Sequence, residues 1–327
     1  MSLTDIDSRL GLRLTYSMEF EPLSSIDKTK SRIPNKEIFK RDLDVFDLGI
    51  DSAAGFVNKY HNQTLIICGG GPSLKDTLKD IRKATRVSNK VKVMACNRTH
   101  DFLIKKGIKP HFGVMIDPKP WCANYMTPTR GVTYLLGAKV DPAVWLRFKG
   151  HPKVYHWHPW ELREEAELIR DHVAKITQYG TKHGGYLLIP GMSTVGLRAV
   201  NLGFEFGFRK FQLHGFDSSK SGDRTHAYEK YTPSEVAQYN PWKDNRDETV
   251  RVSGPDGVRS YVCTRQMARQ IEHFKTLISE YSTLEKGGRE YSEILVAGHG
   301  ALPYLAAAGY GLHVRDDYNE NPSLMPI

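Results

Sequence analysis

The sequence predicts an α/β protein with a mostly parallel sheet and helices on both faces, and two patterns in the chain carry that prediction. From Thr64 onward, short apolar runs alternate with segments of helical periodicity, the order that builds βαβ units through right-handed crossovers. The first run, Thr64 to Cys68, opens directly into Gly69-Gly70-Gly71-Pro72-Ser73, and three consecutive glycines there read as a tight turn between a strand and a helix.

Taken in order, residues 1 to 62 read as an N-terminal appendage. They are polar and interrupted by Pro22 and Pro34, and one amphipathic stretch, Lys36 to Tyr60, places Ile38, Phe39, Leu43, Phe46, Leu48 and Phe56 at loosely helical spacing. After the glycine turn, Leu74, Leu78 and Ile81 predict a helix over Ser73 to Ala84, with Ser73 able to cap it. Val91 to Cys96 is the second strand, Asp101 to Lys106 the next helix and Phe112 to Ile116 the third strand, followed by strands at Tyr134 to Leu136 and Val154 to His156. A second unit begins near Gly184. Val195, Ala199, Leu202 and Phe206 predict a helix capped by Ser193 or Thr194 and stopped at Gly207. The strand Phe211 to Gly215 leads to Asp217. Residues 218 to 258, rich in Ser, Asp, Tyr, Asn, Pro and Gly, read as a long surface lid. A strand over Val258 to Cys263, a helix over Thr264 to Tyr281, a strand over Ile294 to Ala297 and a helix over Leu302 to Ala308 complete a main domain spanning 63 to 312. Residues 313 to 327 read as a tail.

Composition narrows the class. The chain has 327 residues, 40% of them hydrophobic and 25% charged, which fits a folded protein rather than a disordered or fibrous one. Met1 to Arg13 lacks the basic-then-apolar layout of a secretory signal, and no apolar run is long enough to span a bilayer. Cys68, Cys96, Cys122 and Cys263 form no C-x-x-C pair and read as free thiols, so a cytoplasmic location is expected. A net charge of +9 favours anionic partners, yet the basic residues are spread out and form no dense block of the kind that marks a nucleic-acid binder.

The candidate site residues lie where strands end, because ligands of parallel sheets bind at the carboxyl edge. The turn Gly69 to Ser73 lets backbone approach an anion at a helix start, although it matches neither G-x-x-x-x-G-K-[ST] nor G-x-G-x-x-G. The alternative is a turn that needs glycine only for its dihedrals. Asn97 stands after the second strand, where a dinucleotide-binding fold carries an acid for the ribose, which argues against NAD. It reads either as a base or sugar contact or as an Asx turn or helix cap before Thr99. Asp117 and Asp217 each follow a strand, and as a pair they could hold Mg²⁺ on phosphate oxygens, or one could act as a base. In the lid, His226 is suited to moving an acceptor's proton, and Arg224 and Tyr228 to neutralising a departing phosphate. His156 and His158 share a strand face, but without a third ligand at metal spacing they read as packing groups.

Seven motifs in order carry a resemblance. They are Ile66 to Leu74 (IICGGGPSL), Ala95-Cys96-Asn97-Arg98, PHFGVMIDP over Pro110 to Pro118, Gly191 to Gly203, LHGFD over Leu213 to Asp217, Thr225-His226-Ala227, and DGVRSYVCT over Asp256 to Thr264. Together they resemble the superfamily joining 6-hydroxymethylpterin diphosphokinase-like proteins with motility accessory factors, which are flagellin glycosyltransferases, and more distantly the bacterial sialyltransferases that use CMP-sugars. The resemblance implies a Rossmann-like fold and a transferase. It implies phosphate or ribose at Gly69, Gly70, Gly71, Pro72 and Ser73, nucleotide at Asn97, further ligand contacts at Ser193 and Thr194, and Asp217 as the floor of the site. The histidine motif of the sialyltransferases has no counterpart in this sequence. The expected activity is therefore sugar transfer from a nucleotide-sugar to an acceptor hydroxyl, with the acceptor open among protein, glycan, nucleic acid and small molecule. ATP-dependent diphosphate transfer to a pterin-like alcohol, with Mg²⁺ on Asp117 and Asp217, is the second reading, and a non-catalytic nucleotide- or nucleic-acid-binding module the third.

Overall fold

The computed structural model describes residues 36–160, 163–177, 185–191, 194–228, 247–283 and 293–310. Eight strands form one sheet: β1 (Thr64–Cys68), β2 (Val91–Cys96), β3 (Phe112–Met115), β4 (Thr133–Gly137), β5 (Val154–Pro159), β6 (Leu188–Ile189), β7 (Lys210–His214) and β10 (Glu293–Ala297), in the order β10-β7-β1-β2-β3-β4-β5-β6. Each pairing in it is parallel. Parallel strands are buried on both faces and read as continuous apolar runs. That is why TLIIC and VKVMAC were legible as strands.

Successive strands β1 to β6 step in one direction, so right-handed crossovers put their connecting helices on one face. These helices are α2 (Leu74–Val87), α3 (Thr99–Lys105), α4 (Pro142–Arg147) and α5 (Arg163–Thr177). Ile66, Cys68, Val93 and Ala95 point to that face and bury Leu74, Ile81 and Leu103. Their alternates, Leu65, Ile67, Met94 and Val114, face the other layer, built from α6 (Val195–Glu205), α7 (Arg265–Thr283) and α8 (Ala301–Leu305). The chain then reverses: α6 crosses back over the sheet, and β7 pairs beside β1 rather than beyond β6.

Several expectations are corrected here. No second unit begins near Gly184, because β6 and β7 both join the single sheet. Helix α3 starts at Thr99 rather than Asp101, and α4 and α5 lie where no helix was expected. Ser73 stands before α2 in helical conformation and makes no capping bond, its hydroxyl being drawn elsewhere. Part of the expected lid is a strand, since β8 (Asp247–Gly254) and β9 (Gly257–Thr264) form an antiparallel hairpin. Thr194, whose Oγ1 accepts from Leu197 N at 3.4 Å, caps α6. Ser193, residues 1 to 35, the stretch 229–246 of the expected lid and the tail 313–327 lie outside the described residues.

The amphipathic stretch resolves into α1 (Lys36–Asp44) and short 3₁₀ turns at Val45–Leu48 and Ala53–Phe56. Phe39, Leu43 and Phe46 pack on α5, and Phe56 packs in the main core. His156 and His158 are packing groups, Phe46 stacking on His158 at 5.1 Å between centroids and meeting His156 edge-on. All four cysteines are buried, and none of them forms a disulfide. Among the described residues, no helix is long and apolar enough to cross a membrane.

Candidate functional site

A cavity of about 550 Å³ opens at the carboxyl edge of the sheet, within the roughly 300–1,000 Å³ of small-molecule sites. It sits where the strand order reverses, between β1 and β7, the position at which doubly wound sheets bind their ligands. Strand ends supply its wall: Gly69 to Gly71 after β1, Asn97 and Arg98 after β2, Asp117 after β3, Lys139 after β4 and Gly215 to Ser219 after β7.

The glycine turn is held by the protein itself. Gly69 N donates to His214 O and Gly71 N to Gly215 O, both at 2.8 Å. A Cβ on Gly69 would lie 2.6 Å from Gly215 O, and one on Gly71 would lie 2.7 Å from the same oxygen and also run into the Asp217 carboxylate. One on Gly70 would meet His226 Cδ2 and the Tyr228 hydroxyl, each at 2.6 Å. All three glycines thus permit close packing against two neighbouring loops while the turn still fronts the cavity.

Asp217 is the brace of this arrangement. It is 3% exposed, accepts from Ser73 N at 2.8 Å, and accepts from the Ser73 hydroxyl on its other oxygen. Burial raises its carboxyl above the usual range, more than the Ser73 donors pull it down. Ser73 and Pro72 do not front the cavity; Ser73 lies behind the wall and ties α2 to the β7 loop. Asp117 does front it. Each Asp217 oxygen takes one Ser73 donor. Among the described residues, no three of His, Cys, Asp and Glu are grouped to hold a metal.

The segment after β7 returns over the turn, with Ala227 N donating to Gly70 O at 2.9 Å. His226 and Tyr228 line the cavity, and Arg224 does not. Arg224 is exposed in a turn whose backbone pairs with Ser221, so it stands away from any ligand in the cavity. Tyr228 OH and Thr99 Oγ1 lie 2.9 Å apart, and burial pushes the phenol up, so it acts as a neutral hydroxyl. His226 Nδ1 lies 2.9 Å from Thr225 Oγ1, a contact that orients the ring. Cys96 also lines the cavity, but burial pushes its thiol up to about 12, which leaves it unreactive.

Two residues combine strain with unmet polarity. Asn97 (φ +49°) and Ser218 (φ +50°) occupy the left-handed region although neither is glycine. Both line the cavity, and Asn97 Oδ1 and Ser218 Oγ are buried with no hydrogen-bond partner among the described residues. Such strain and such orphaned atoms concentrate at functional sites. Asn97 is no helix cap: Arg98 holds the position before α3, and no side chain bonds there.

The cavity also recruits groups that sequence reasoning passed over. Arg98 lies over the Tyr125 ring at 4.5 Å. Arg198 is buried within α6 and reaches Trp160 O at 3.4 Å. Lys139 bonds Glu165 at 3.0 Å. Thr194, which the sequence did single out, lines the wall too and accepts from Gln270 of α7 at 3.2 Å. A lone arginine in an otherwise apolar helix is a signal that could have exposed Arg198, and the strand-end rule that found Asp117 applies equally to Lys139.

These features define an α/β protein of Rossmann-like architecture with a polar, ligand-sized cavity at its topological switch point. Residues 45–223, more than half of the chain, match the family described as 6-hydroxymethylpterin diphosphokinase MptE-like, and the chain belongs to that family. In structure it is similar to the MAf glycosyltransferase from Magnetospirillum magneticum AMB-1, at 16% identity and a TM-score of 0.50. That similarity covers 80% of this chain but only 36% of the glycosyltransferase. No curated protein matches the chain in sequence. The structural likeness shows a shared fold.

Proposed function

We propose that the chain is a nucleotide-dependent glycosyltransferase. One observation carries the reading: a single cavity at the switch point is walled by the glycine turn, by Arg98, and by Asn97 and Ser218 with their unmet oxygens. Gly69 N and Gly71 N are taken by the β7 loop, so the Gly70 N–H and the Arg98 guanidinium are the groups that suit phosphates, and Asn97 and Ser218 suit the hydroxyls or base of a nucleoside. In the reaction, an acceptor hydroxyl forms a bond to the anomeric carbon of the donor sugar. The bond from that carbon to phosphate breaks, and the nucleotide leaves with the electron pair. His226 takes the acceptor's proton, Tyr228 donates a hydrogen bond, and Asp217 keeps the turn closed rather than acting as base.

The family description favours a second reading, diphosphate transfer from ATP to a pterin-like alcohol. Incubation with CMP-, UDP-, GDP- and ADP-sugars, and separately with ATP and a hydroxymethylpterin, each with and without EDTA, tests both. Release of nucleotide from one sugar donor in EDTA supports the first reading. Turnover of ATP and pterin that EDTA abolishes supports the second and rejects the first.

A further inference from the structure

The far end of the cavity differs in chemistry from the glycine turn. There Lys139 Nζ lies 3.0 Å from Glu165 Oε1 and 3.5 Å from Asp42 Oδ2, and Asp42 Oδ1 lies 3.2 Å from His158 Nδ1. The Lys139 and Glu165 side chains are 14% and 6% exposed, and both line the cavity together with Ile38. Asp42 is fully buried behind them. Asp42 and Ile38 belong to α1, which precedes the family match. Arg41 fixes that helix to the neighbouring strand-end loops through Pro118 O at 2.9 Å and Asp141 at 3.1 Å.

A wall that sets an ammonium beside a carboxylate discriminates among ligands. A phosphate oxygen only accepts, so it gains Lys139 but is repelled by Glu165 and Asp42. A metal cation meets the reverse conflict at Lys139. A hydroxyl donates and accepts at once, so adjacent hydroxyls satisfy Glu165 and Lys139 together, and charge-assisted bonds of this kind are the stronger class. Resting on the glycosyltransferase reading, we propose that Lys139 and Glu165 form the subsite for the hydroxyls of the donor's sugar ring. Asp42 is its positioning residue, and α1 closes the pocket that selects the sugar.

Calorimetric titration of the full chain with CMP, UDP, GDP and ADP, and with CMP-sialic acid, UDP-N-acetylglucosamine, GDP-mannose and ADP-glucose, tests this. The variants are Glu165→Gln, Lys139→Met and Ile38→Trp, the last narrowing the far end without disturbing the buried charges. The wild type is expected to bind one sugar derivative more tightly than its parent nucleotide. Each variant is expected to weaken that derivative by about tenfold or more while leaving the parent nucleotide within about twofold. Lys139→Arg is expected to restore part of the loss. Equal weakening of both ligands by Ile38→Trp, or sugar-nucleotide binding untouched by all three variants, overturns the subsite and leaves the transferase reading standing. Failure of the wild type to bind any of the eight compounds rejects that reading and the subsite with it.

Discussion

Replacing Ser73 by alanine removes one of two donors to a carboxylate that is almost fully buried. Hydrogen bonds to charged groups contribute about 1.5–3 kcal/mol, and a buried acceptor left short of a donor costs a similar amount. Ser73→Ala is therefore expected to lower the unfolding free energy by about 2 kcal/mol near neutral pH. Asp217→Asn sets amide hydrogens toward the Ser73 donors and is expected to cost as much. Because both changes break one interaction, the double mutant is expected to fall short of their sum by about 1–2 kcal/mol. The pH dependence has a definite sign. Burial raises the Asp217 carboxyl and Ser73 lowers it, so the penalty of Ser73→Ala is full where the carboxylate is ionised and shrinks as pH falls through its raised pKa. Urea unfolding followed by circular dichroism, with the slope checked for constancy, measures all three quantities. A Ser73→Ala cost below about 0.5 kcal/mol, or strict additivity, refutes Asp217 as the brace of the turn.

Further outcomes follow from the same contacts. Gly71→Ala drives a methyl group into the Gly215 carbonyl and the Asp217 carboxylate and is expected to destabilise by about 1–3 kcal/mol in thermal unfolding. Gly70→Ala meets only the outer atoms of His226 and Tyr228, so it should leave stability nearer the wild type while weakening nucleotide binding by calorimetry. Ser218→Gly relieves a left-handed serine and deletes its orphaned hydroxyl. Its expected signature is a stability gain of about 1 kcal/mol joined to weaker ligand binding. His214 is fully buried, and desolvation lowers its pKa to about 4. Its proton is taken up first by the unfolded chain, so stability is unaffected above about pH 6.5 and falls by about 3 kcal/mol as pH drops to about 4. Urea midpoints measured from pH 7.5 to 4.5 check this, and an imidazole resonance titrating near 6.5 contradicts it.

Much of the fold was legible because parallel strands announce themselves. TLIIC, VKVMAC and FGVM are buried on both faces, and each ends in residues that cannot continue a strand. The reversal was not legible, since nothing in the sequence near Gly184 says that β7 pairs with β1 across the sheet. The helix Arg163–Thr177 escaped notice although Ala166, Ile169 and Val173 mark its buried face. Asn97, Asp117, Asp217, His226 and Tyr228 line the cavity, and the sequence points to them because strand ends and the returning loop are where such sheets collect polar groups. What sequence could not separate was facing from bracing. Ser73 and Asp217 bond to each other across 144 positions, and Arg224, two residues before His226, turns out to solvent. Lys139 and Asp42 come together only because α1 folds over the ends of β4 and β5, a contact with no local signature.

If the cavity between the glycine turn and Arg98 holds a nucleotide, a crystal of the full chain soaked with a mixture of nucleotide-sugars reveals it. The expected result is density for one nucleotide with phosphates against Gly69 to Gly71 and the nucleoside beside Asn97 and Ser218. A nucleotide bound elsewhere on the chain, or an empty cavity at saturating ligand, contradicts it.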